Sequence, residues 1–408
     1  MCKLLRQAPI PYPLVAFAAY LAFSLQVGFT GSKNLAALLC LAIVLYSIAR
    51  QRLPREYITS ALWLFPSFFI LSTVYAAAIA PDFGAAVREL KRPYWIDAGL
   101  NTLVFSLLLL PYRSTEIAKA LLLGIGMGAI GWMTPSIYVL LHDLHDGRPV
   151  LVTSSHFMLE EYRYLLLYAT LLAALYFARG AWRYLLGLLL AFVVFALFAS
   201  MARAVWLAAL LGMGLFLAVF RCWRSAVLIG AGAVVALALI AGVQRQGDTV
   251  RFKISQGDSG NRYGNGATGV AWRIAWAAPV RGYGAGNYYE IYRQRLPQHP
   301  EWVFQKPEDP HNFILSHWLR AGLLGLFSLC ALLVSMVWMN VRTFVRSSCP
   351  WVRVSSFTLL ATLFTVYGIA FQFHIGFANW LGWLFAASFA LYQAASRMPP
   401  LIGSAQSA

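Results

Sequence analysis

Long apolar segments recur along almost the whole chain, and short polar stretches separate them. A helix needs roughly 20 residues to cross the hydrocarbon of a bilayer, and most of these segments approach that length. Lipid offers no partner to an unpaired backbone group, so such segments form helices. The pattern predicts an all-α, polytopic membrane protein with about twelve transmembrane helices, at residues 11–28, 34–50, 57–80, 94–111, 116–140, 158–178, 182–200, 203–220, 225–243, 311–340, 354–372 and 376–396.

One connection, residues 244–310, is much longer than the others. It is rich in glycine, aromatic residues, arginine and aspartate, and a loop of this length is more often functional or partly helical than idle. The chain therefore divides into a first group of nine helices (1–243), the large loop (244–310), and a last group of three helices with a tail (311–408). Shorter loops at 81–93 and 142–157 are expected on the same side of the membrane as the large loop.

Composition agrees with a membrane environment. Of the 408 residues, 60% are hydrophobic and only 12% are charged, which excludes an ordinary water-soluble protein. A net charge of +17 suggests nucleic acid as a partner of a soluble protein, but here the charge has to be sorted by side of the membrane, and no nucleic acid is expected. With the N-terminus inside, every cytoplasmic loop is basic, as the positive-inside rule requires, through Arg50, Arg52, Arg55, Arg113, Arg179, Arg183, Arg221, Arg224, Arg342, Arg346 and Arg353. Both termini are then expected in the cytoplasm.

Positive charge is also abundant on the outer side, where that rule does not require it. Contact with lipid headgroups can explain any one of these residues, and a shared anionic ligand is the other explanation. Arg163 and Arg203 fit headgroup contact less well, since they lie within or at the mouth of apolar helices, where a charge has to be paired or functional. The outer residues are Arg88, Lys91, Arg92, Arg163, Arg203, Arg251, Lys253, Arg262, Arg273, Arg281, Arg293 and Arg295.

Arg203 follows a tight turn between two predicted spans and therefore opens a helix. The free N–H groups and the positive dipole end of a helix start favour a bound anion. A guanidinium at this place can hold a phosphate through two hydrogen bonds. Arg203 is thus a candidate phosphate-binding residue, with pairing to a nearby carboxylate as the alternative.

The large loop ends in the sequence Glu-Asp-Pro-His-Asn. Asp309 can cap the tenth helix and Pro310 suits a first helical turn, which presents His311 at the outer membrane boundary. A histidine there can accept a proton from a hydroxyl group, although a plain polar interface residue is the alternative. Gly322 and Gly325 follow in the same helix at a spacing that can let another helix approach closely.

Glycines and aromatic residues surround Arg273 in the segment 272–287. The glycines superficially resemble a dinucleotide-binding turn, but no strand precedes them and no acidic residue follows at the required distance. An arginine between tryptophan and tyrosine residues suits a sugar-phosphate better.

Metal chemistry has little support in the sequence. All seven histidines fall near the outer face, but the chain has no Asp-x-Asp pair and no tight carboxylate cluster for Mg²⁺ or Mn²⁺. The stretch 142–146, His-Asp-Leu-His-Asp, is better explained as a solvated loop. If the reaction releases a pyrophosphate without a metal, the outer arginines would have to stabilise its charge. We expect neither a metal nor another cofactor.

These motifs together resemble those of the bacterial O-antigen ligases, within a broader group that also holds O-antigen polymerases and protein O-oligosaccharyltransferases. The His-Asn pair at 311–312, nine residues and then Gly-x-x-Gly at 322–325 are similar to the family's His-Asn-x9-Gly-x-x-Gly pattern. The segment 203–207 is similar to its Arg-x3-Leu pattern. A further likeness, to the part of the family's large periplasmic loop that precedes the histidine, involves Arg273, Pro279, Gly282, Gly284 and Asn287.

The resemblance implies a metal-independent, inverting glycosyltransferase of the GT-C type at the periplasmic face of the inner membrane. Its donor would be O-antigen on undecaprenyl pyrophosphate, its acceptor the lipid A core, and membrane lipids would surround it. By position, His311 would be the catalytic base, and Arg203 and Arg273 would hold the pyrophosphate. Charge placement adds Arg88 and Arg163 to the pyrophosphate site. Supporting motif residues would be Asn312, Leu207, Gly322 and Gly325.

Two alternatives stay open. An O-antigen polymerase or a protein O-oligosaccharyltransferase would differ only in the acceptor. A lipid or glycan transporter would place charges near mid-membrane on broken helices, often within inverted repeats, whereas the polar residues here gather at outer helix ends.

Overall fold

The computed structural model describes residues 10–26, 29–50, 59–146, 161–200, 202–222, 263–367 and 378–397. Regular structure in these ranges is entirely helical, as predicted. The predicted ninth span, 225–243, lies outside the described residues, as do 147–157 and 244–262 of the predicted outer loops. The helices are α1 (Tyr12–Ser24), α2 (Thr30–Ala49), α3 (Leu64–Ala78), α4 (Phe83–Leu90), α5 (Asn101–Leu109), α6 (Ser114–His145), α7 (Glu161–Phe177), α8 (Ala181–Ala199), α9 (Arg203–Phe220), α10 (Ala267–Ala277), α11 (Tyr288–Arg295), α12 (Phe313–Arg346), α13 (Pro350–Thr362) and α14 (Ala378–Ser396).

Six helices of the described ranges are long and apolar enough to cross a membrane. They are Thr30–Ala49, Ala61–Ala78, Ser114–Val139, Ala181–Ala199, Arg203–Phe220 and Phe313–Arg346. Their outward side chains include Leu35, Leu188, Leu210 and Val345, all largely exposed, a pattern that suits contact with lipid. The protein is therefore a multi-pass membrane protein, whereas the number of about twelve spans and the GT-C type stay predictions.

The predicted outer loop 81–93 is mostly helical. Asp82 caps α4 by accepting a hydrogen bond from the backbone N–H of Ala85 at 2.9 Å. A π-helical segment, Lys91–Leu100, then joins α4 to α5 without a break, and its wider turns accommodate Pro93, which has no N–H to donate. Charged residues made this stretch look like a loop in the sequence, although its apolar side is buried.

Helix α12 is longer than predicted and is broken inside. It runs over 34 residues, and Gly322 within it has φ 60° and ψ −148°. The break separates a short segment, 313–321, from about 24 residues that extend roughly 36 Å at 1.5 Å per residue. The second segment alone is long enough to cross the hydrocarbon.

The large loop docks on this break. The Tyr283 N–H donates to the Leu319 carbonyl at 2.8 Å, and the Gly284 N–H donates to the Arg320 carbonyl at 3.0 Å. These bonds satisfy carbonyl groups that the break leaves without helical partners. The close neighbour at Gly322 is thus loop backbone at Val280, rather than the second helix that the glycine spacing suggested.

Polar contacts fix α12 among its neighbours. The Ser328 hydroxyl bonds the Ser72 hydroxyl of α3 at 2.8 Å. Deeper along the helix, the Asn340 amide donates to the Ser388 hydroxyl of α14 at 2.8 Å. Because the two contacts join α12 to elements far apart in sequence, they fix the position of its second segment among the neighbouring helices.

We predict that Gly322→Ala destabilises the protein. A Cβ at this position would overlap the Val280 carbonyl, and only glycine adopts the backbone conformation readily. The free energy of unfolding should fall by about 2 kcal/mol or more. Gly187→Ala in α8 is the control, because a Cβ there meets nothing within 4 Å and alanine favours helix. Thermal unfolding in detergent measures both variants, and equal midpoints would contradict the description of the break.

Candidate functional site

His311 lies just before α12, at the end of the large loop. Its backbone has φ 48°, an uncommon conformation for a residue with a side chain. The Asp309 carboxylate supports that conformation by accepting the His311 N–H at 2.8 Å. On the ring, Nε2 lies 3.2 Å from a Glu308 carboxylate oxygen. Since a carboxylate only accepts, the Nε2–H of the ring donates to Glu308.

Asn312 caps α12, which differs from the expectation that Asp309 would cap it. The Asn312 side-chain oxygen accepts the Leu315 N–H at 2.9 Å, and the helix begins at Phe313. Asp309 supports His311 instead, because Pro310 and the positive φ of His311 place it too far before the first helical turn. In the His-Asn pair, Asn312 therefore caps the helix, and His311 lies in the turn before it.

A tyrosine of α11 also contacts this turn. The Tyr289 hydroxyl lies 3.5 Å from a carboxylate oxygen of Asp309. Burial and the neighbouring charge of Asp309 raise the pKa of Tyr289 to about 12. The phenol therefore keeps its proton at physiological pH and can donate to the carboxylate that positions His311.

A cluster of charged and polar side chains surrounds Arg320, near the end of the first segment of α12. Arg320 is 8% exposed, and its Nε donates to Glu89 of α4 at 2.7 Å, while a second nitrogen contacts the same carboxylate. Nη1 donates to the Tyr94 hydroxyl at 2.9 Å. Sequence reasoning missed this cluster, although an arginine inside a predicted span was a sufficient signal that a partner had to exist.

His317 packs beside this cluster in a small cavity. Its Nδ1 bonds the Phe313 carbonyl at 3.0 Å, and its ring stacks on Phe69 with the centroids 5.4 Å apart. The cavity has room for about one water molecule and is also lined by Tyr94 and Arg320. Because Nδ1 donates to a carbonyl, Nε2 is an acceptor at the cavity wall, which suits a bound water.

Arg273 and Arg88 are on elements that contact α12. The Thr268 hydroxyl of α10 donates to the Pro310 carbonyl at 3.0 Å, which joins the helix of Arg273 to the residue before His311. Arg273 is exposed and donates to the Gly264 carbonyl at 2.9 Å and to the Asn265 side chain at 2.7 Å. Both bonds use the same terminal nitrogen, so the guanidinium retains donors for a ligand. Arg88 is exposed on α4, next to the Glu89 that pairs with α12.

Arg203 and Arg163 are on another pair of helices. Arg203 is the first residue of α9, as predicted, and is half-buried. Leu207, one turn later, is exposed on the helix surface. Arg163 is buried near the start of α7, and its guanidinium lies over the Tyr162 ring, 5.2 Å from the centroid.

Helices α7 and α9 approach α12 through the segment Leu363–Tyr367 that follows α13. A Cβ on Gly212 of α9 would lie 3.2 Å from the Thr365 side chain. Tyr367 then meets Phe313, the first residue of α12, with the ring centroids 5.9 Å apart. The segment Leu363–Tyr367 therefore contacts both α9, the helix that bears Arg203, and the start of α12.

Among the residues that the structure describes, no group of three His, Cys, Asp or Glu side chains is arranged to hold a metal ion. The His311 and Glu308 pair by itself is a hydrogen-bonded couple, which suits proton transfer.

We predict strong coupling between Arg320 and Glu89. Arg320→Met leaves the half-buried Glu89 carboxylate without its partner and should lower the free energy of unfolding by about 3 kcal/mol. Glu89→Gln in turn leaves the buried Arg320 guanidinium without its ionic partner and should also lower the free energy of unfolding. The loss of unfolding free energy in the double variant should be roughly 1–3 kcal/mol smaller than the sum of the losses in the two single variants.

The control cycle uses Arg293 and Glu290 of α11, an exposed pair 2.6 Å apart, whose coupling should stay below about 1 kcal/mol. Thermal unfolding measures both cycles. Additive losses at Arg320 and Glu89 would show that the two charges do not depend on each other.

Comparison with known proteins supports the resemblance inferred from the motifs. Residues 186–330 match the family model described as O-Antigen ligase, a range that includes Arg203, Arg273 and His311. The chain is also 27% identical over 350 residues to a protein named O-antigen ligase from Salmonella typhimurium (strain LT2), an alignment that covers 83% of this chain and 84% of that protein. Together the two findings confirm the predicted resemblance of this chain to the bacterial O-antigen ligase family.

Proposed function

We propose that the protein is a glycosyltransferase that moves O-antigen from undecaprenyl pyrophosphate to the lipid A core. The reaction takes place at the periplasmic face of the inner membrane, with both termini in the cytoplasm. The observation that supports this proposal best is the His311 ring, held at the start of α12 by Asp309 and Glu308. The family match over 186–330 adds the class of reaction.

His311 acts as the base in a single displacement. The acceptor hydroxyl gives its proton to the His311 ring, whose orientation is set by the Nε2 contact with Glu308. The acceptor oxygen forms a bond to the anomeric carbon of the donor sugar while the bond from that carbon to the pyrophosphate oxygen breaks. The electron pair leaves with the lipid pyrophosphate, and one displacement inverts the anomeric configuration.

Arginine side chains stabilise the charge that develops on the departing pyrophosphate. Arg273 has donors left beyond its bonds to Gly264 and Asn265, and Arg203 opens α9, where helix N–H groups also favour an anion. Arg88 and Arg163 extend the positive charge on the neighbouring helices. Fixed cations beside the leaving group lower the barrier without a bound metal.

We predict that His311→Ala lowers the transfer rate about 100-fold or more, since it removes the base. The assay uses reconstituted protein with undecaprenyl-pyrophosphate glycan and core lipid. His299→Ala is the matched control, because His299 is also a loop histidine paired with a glutamate, at 2.9 Å from Glu301. Full transfer by the His311 variant would remove the catalytic assignment. A product on core lipid, rather than a longer glycan on the carrier, separates a ligase from a polymerase.

We predict that chelation leaves the transfer rate unchanged. In this proposal the leaving-group charge is met by guanidinium groups, which EDTA does not affect. The rate of the same reconstituted reaction is measured with EDTA and after addition of excess Mg²⁺. Loss of transfer in EDTA and recovery with Mg²⁺ would contradict the role of the arginines.

A further inference from the structure

The exposed face of α10 has two large aromatic side chains that the proposed chemistry does not use. Trp272 is 51% exposed and Trp276 is 57% exposed, and Val280 just beyond the helix is 69% exposed. The opposite face of α10, with Val270 and Ile274, is fully buried against α12. We call Trp272, Trp276 and Val280 the tryptophan patch.

The tryptophan patch is continuous with the membrane-spanning helix. Trp272 and Trp276 both contact the ring of Trp318 of α12, with centroids 5.2 Å away in each case. Leu326, below the break at Gly322, packs against the same cluster. The patch therefore follows α12 from its first segment across the break to the segment that crosses the hydrocarbon.

The depth of the patch follows from the length of α12. The segment below Gly322 extends roughly 36 Å and fills the hydrocarbon by itself, so Trp318, four residues above the break, lies at the level of the headgroups. Trp272 and Trp276 touch Trp318 and share that level. Tryptophan is enriched at this level of membrane proteins, where its apolar ring and its N–H group are both satisfied.

Charge next to the patch fits the surface of a bilayer as well. Arg273 lies between the two tryptophans in sequence, and Arg281 follows Val280, and both are exposed. A short helix with tryptophan on one face and adjacent arginines is typical of segments that lie in the interfacial plane. Arginine donors at this depth can reach lipid phosphate groups.

We infer that α10 lies in the membrane interface, with Trp272 and Trp276 inserted among the lipids at the boundary where α12 begins. The partner is the lipid bilayer itself, with its anionic headgroups at Arg281. Insertion fixes the depth of α10, and through the bond from Thr268 to the Pro310 carbonyl it fixes the height of the turn that presents His311. The inference does not depend on the glycosyl-transfer proposal, because lipid contact is measured without any assay of activity.

The test uses full-length protein with 5-fluorotryptophan in lipid nanodiscs that contain phosphatidylglycerol. Trp272→Phe and Trp276→Phe serve only to assign the two ¹⁹F signals. A phosphatidylcholine with a spin label near its headgroup should broaden both signals strongly. Trp338, exposed on the membrane-spanning part of α12, is the positive reference, and Trp302, buried in the large loop, is the negative reference.

A soluble gadolinium chelate completes the experiment. We expect it to broaden the Trp272 and Trp276 signals less than the spin-labelled lipid does. The inference is overturned if the lipid affects them no more than it affects Trp302, whether or not the chelate broadens them. Broadening by the chelate together with shifts on addition of a water-soluble oligosaccharide would instead identify a glycan-binding surface.

Discussion

Two backbone hydrogen bonds across the break at Gly322 hold the large loop to the helix that starts the site. Carbonyl groups without partners are costly near lipid, so α12 can be broken there only if another segment supplies donors. Tyr283 and Gly284 supply them, and Gly322 has no side chain to block the approach of Val280. The position of α10, the turn at His311 and the cavity beside His317 all follow from this docking.

The same break explains why a charged residue can lie inside an apolar helix. Arg320 lies two residues before the break, and its guanidinium contacts the Glu89 carboxylate and the Tyr94 hydroxyl, which the segment from α4 to α5 brings within reach. The ion pair joins residues 231 positions apart in the chain. Its burial means that the elements it joins move together, because separating them would leave an uncompensated charge in an apolar surrounding. Loop, broken helix and α4 thus form one support for His311.

Much of this arrangement was predictable from sequence, and the remainder has definite physical causes. Apolar length identified the long apolar helices that are described, but not the short helices α4, α10 and α11. The position of Arg203 after a tight turn indicated a helix start, where it is found. Asn312 caps α12 instead of Asp309, because the positive φ of His311 moves the helix start by a few residues. No local sequence pattern indicates that angle. The helix at 83–90 was hidden by its charges, whose partners come from distant parts of the chain. Hydropathy reports the average along a segment, so it did not reveal a break within α12.

The central claim is that the candidate residues meet around one diphosphate at the start of α12. An experimental structure with undecaprenyl pyrophosphate bound measures this most directly. We expect the diphosphate within hydrogen-bond distance of the Arg203 and Arg273 guanidinium groups, with the His311 ring facing the anomeric position. A diphosphate bound elsewhere, or arginines too far apart to contact it together, would contradict the account.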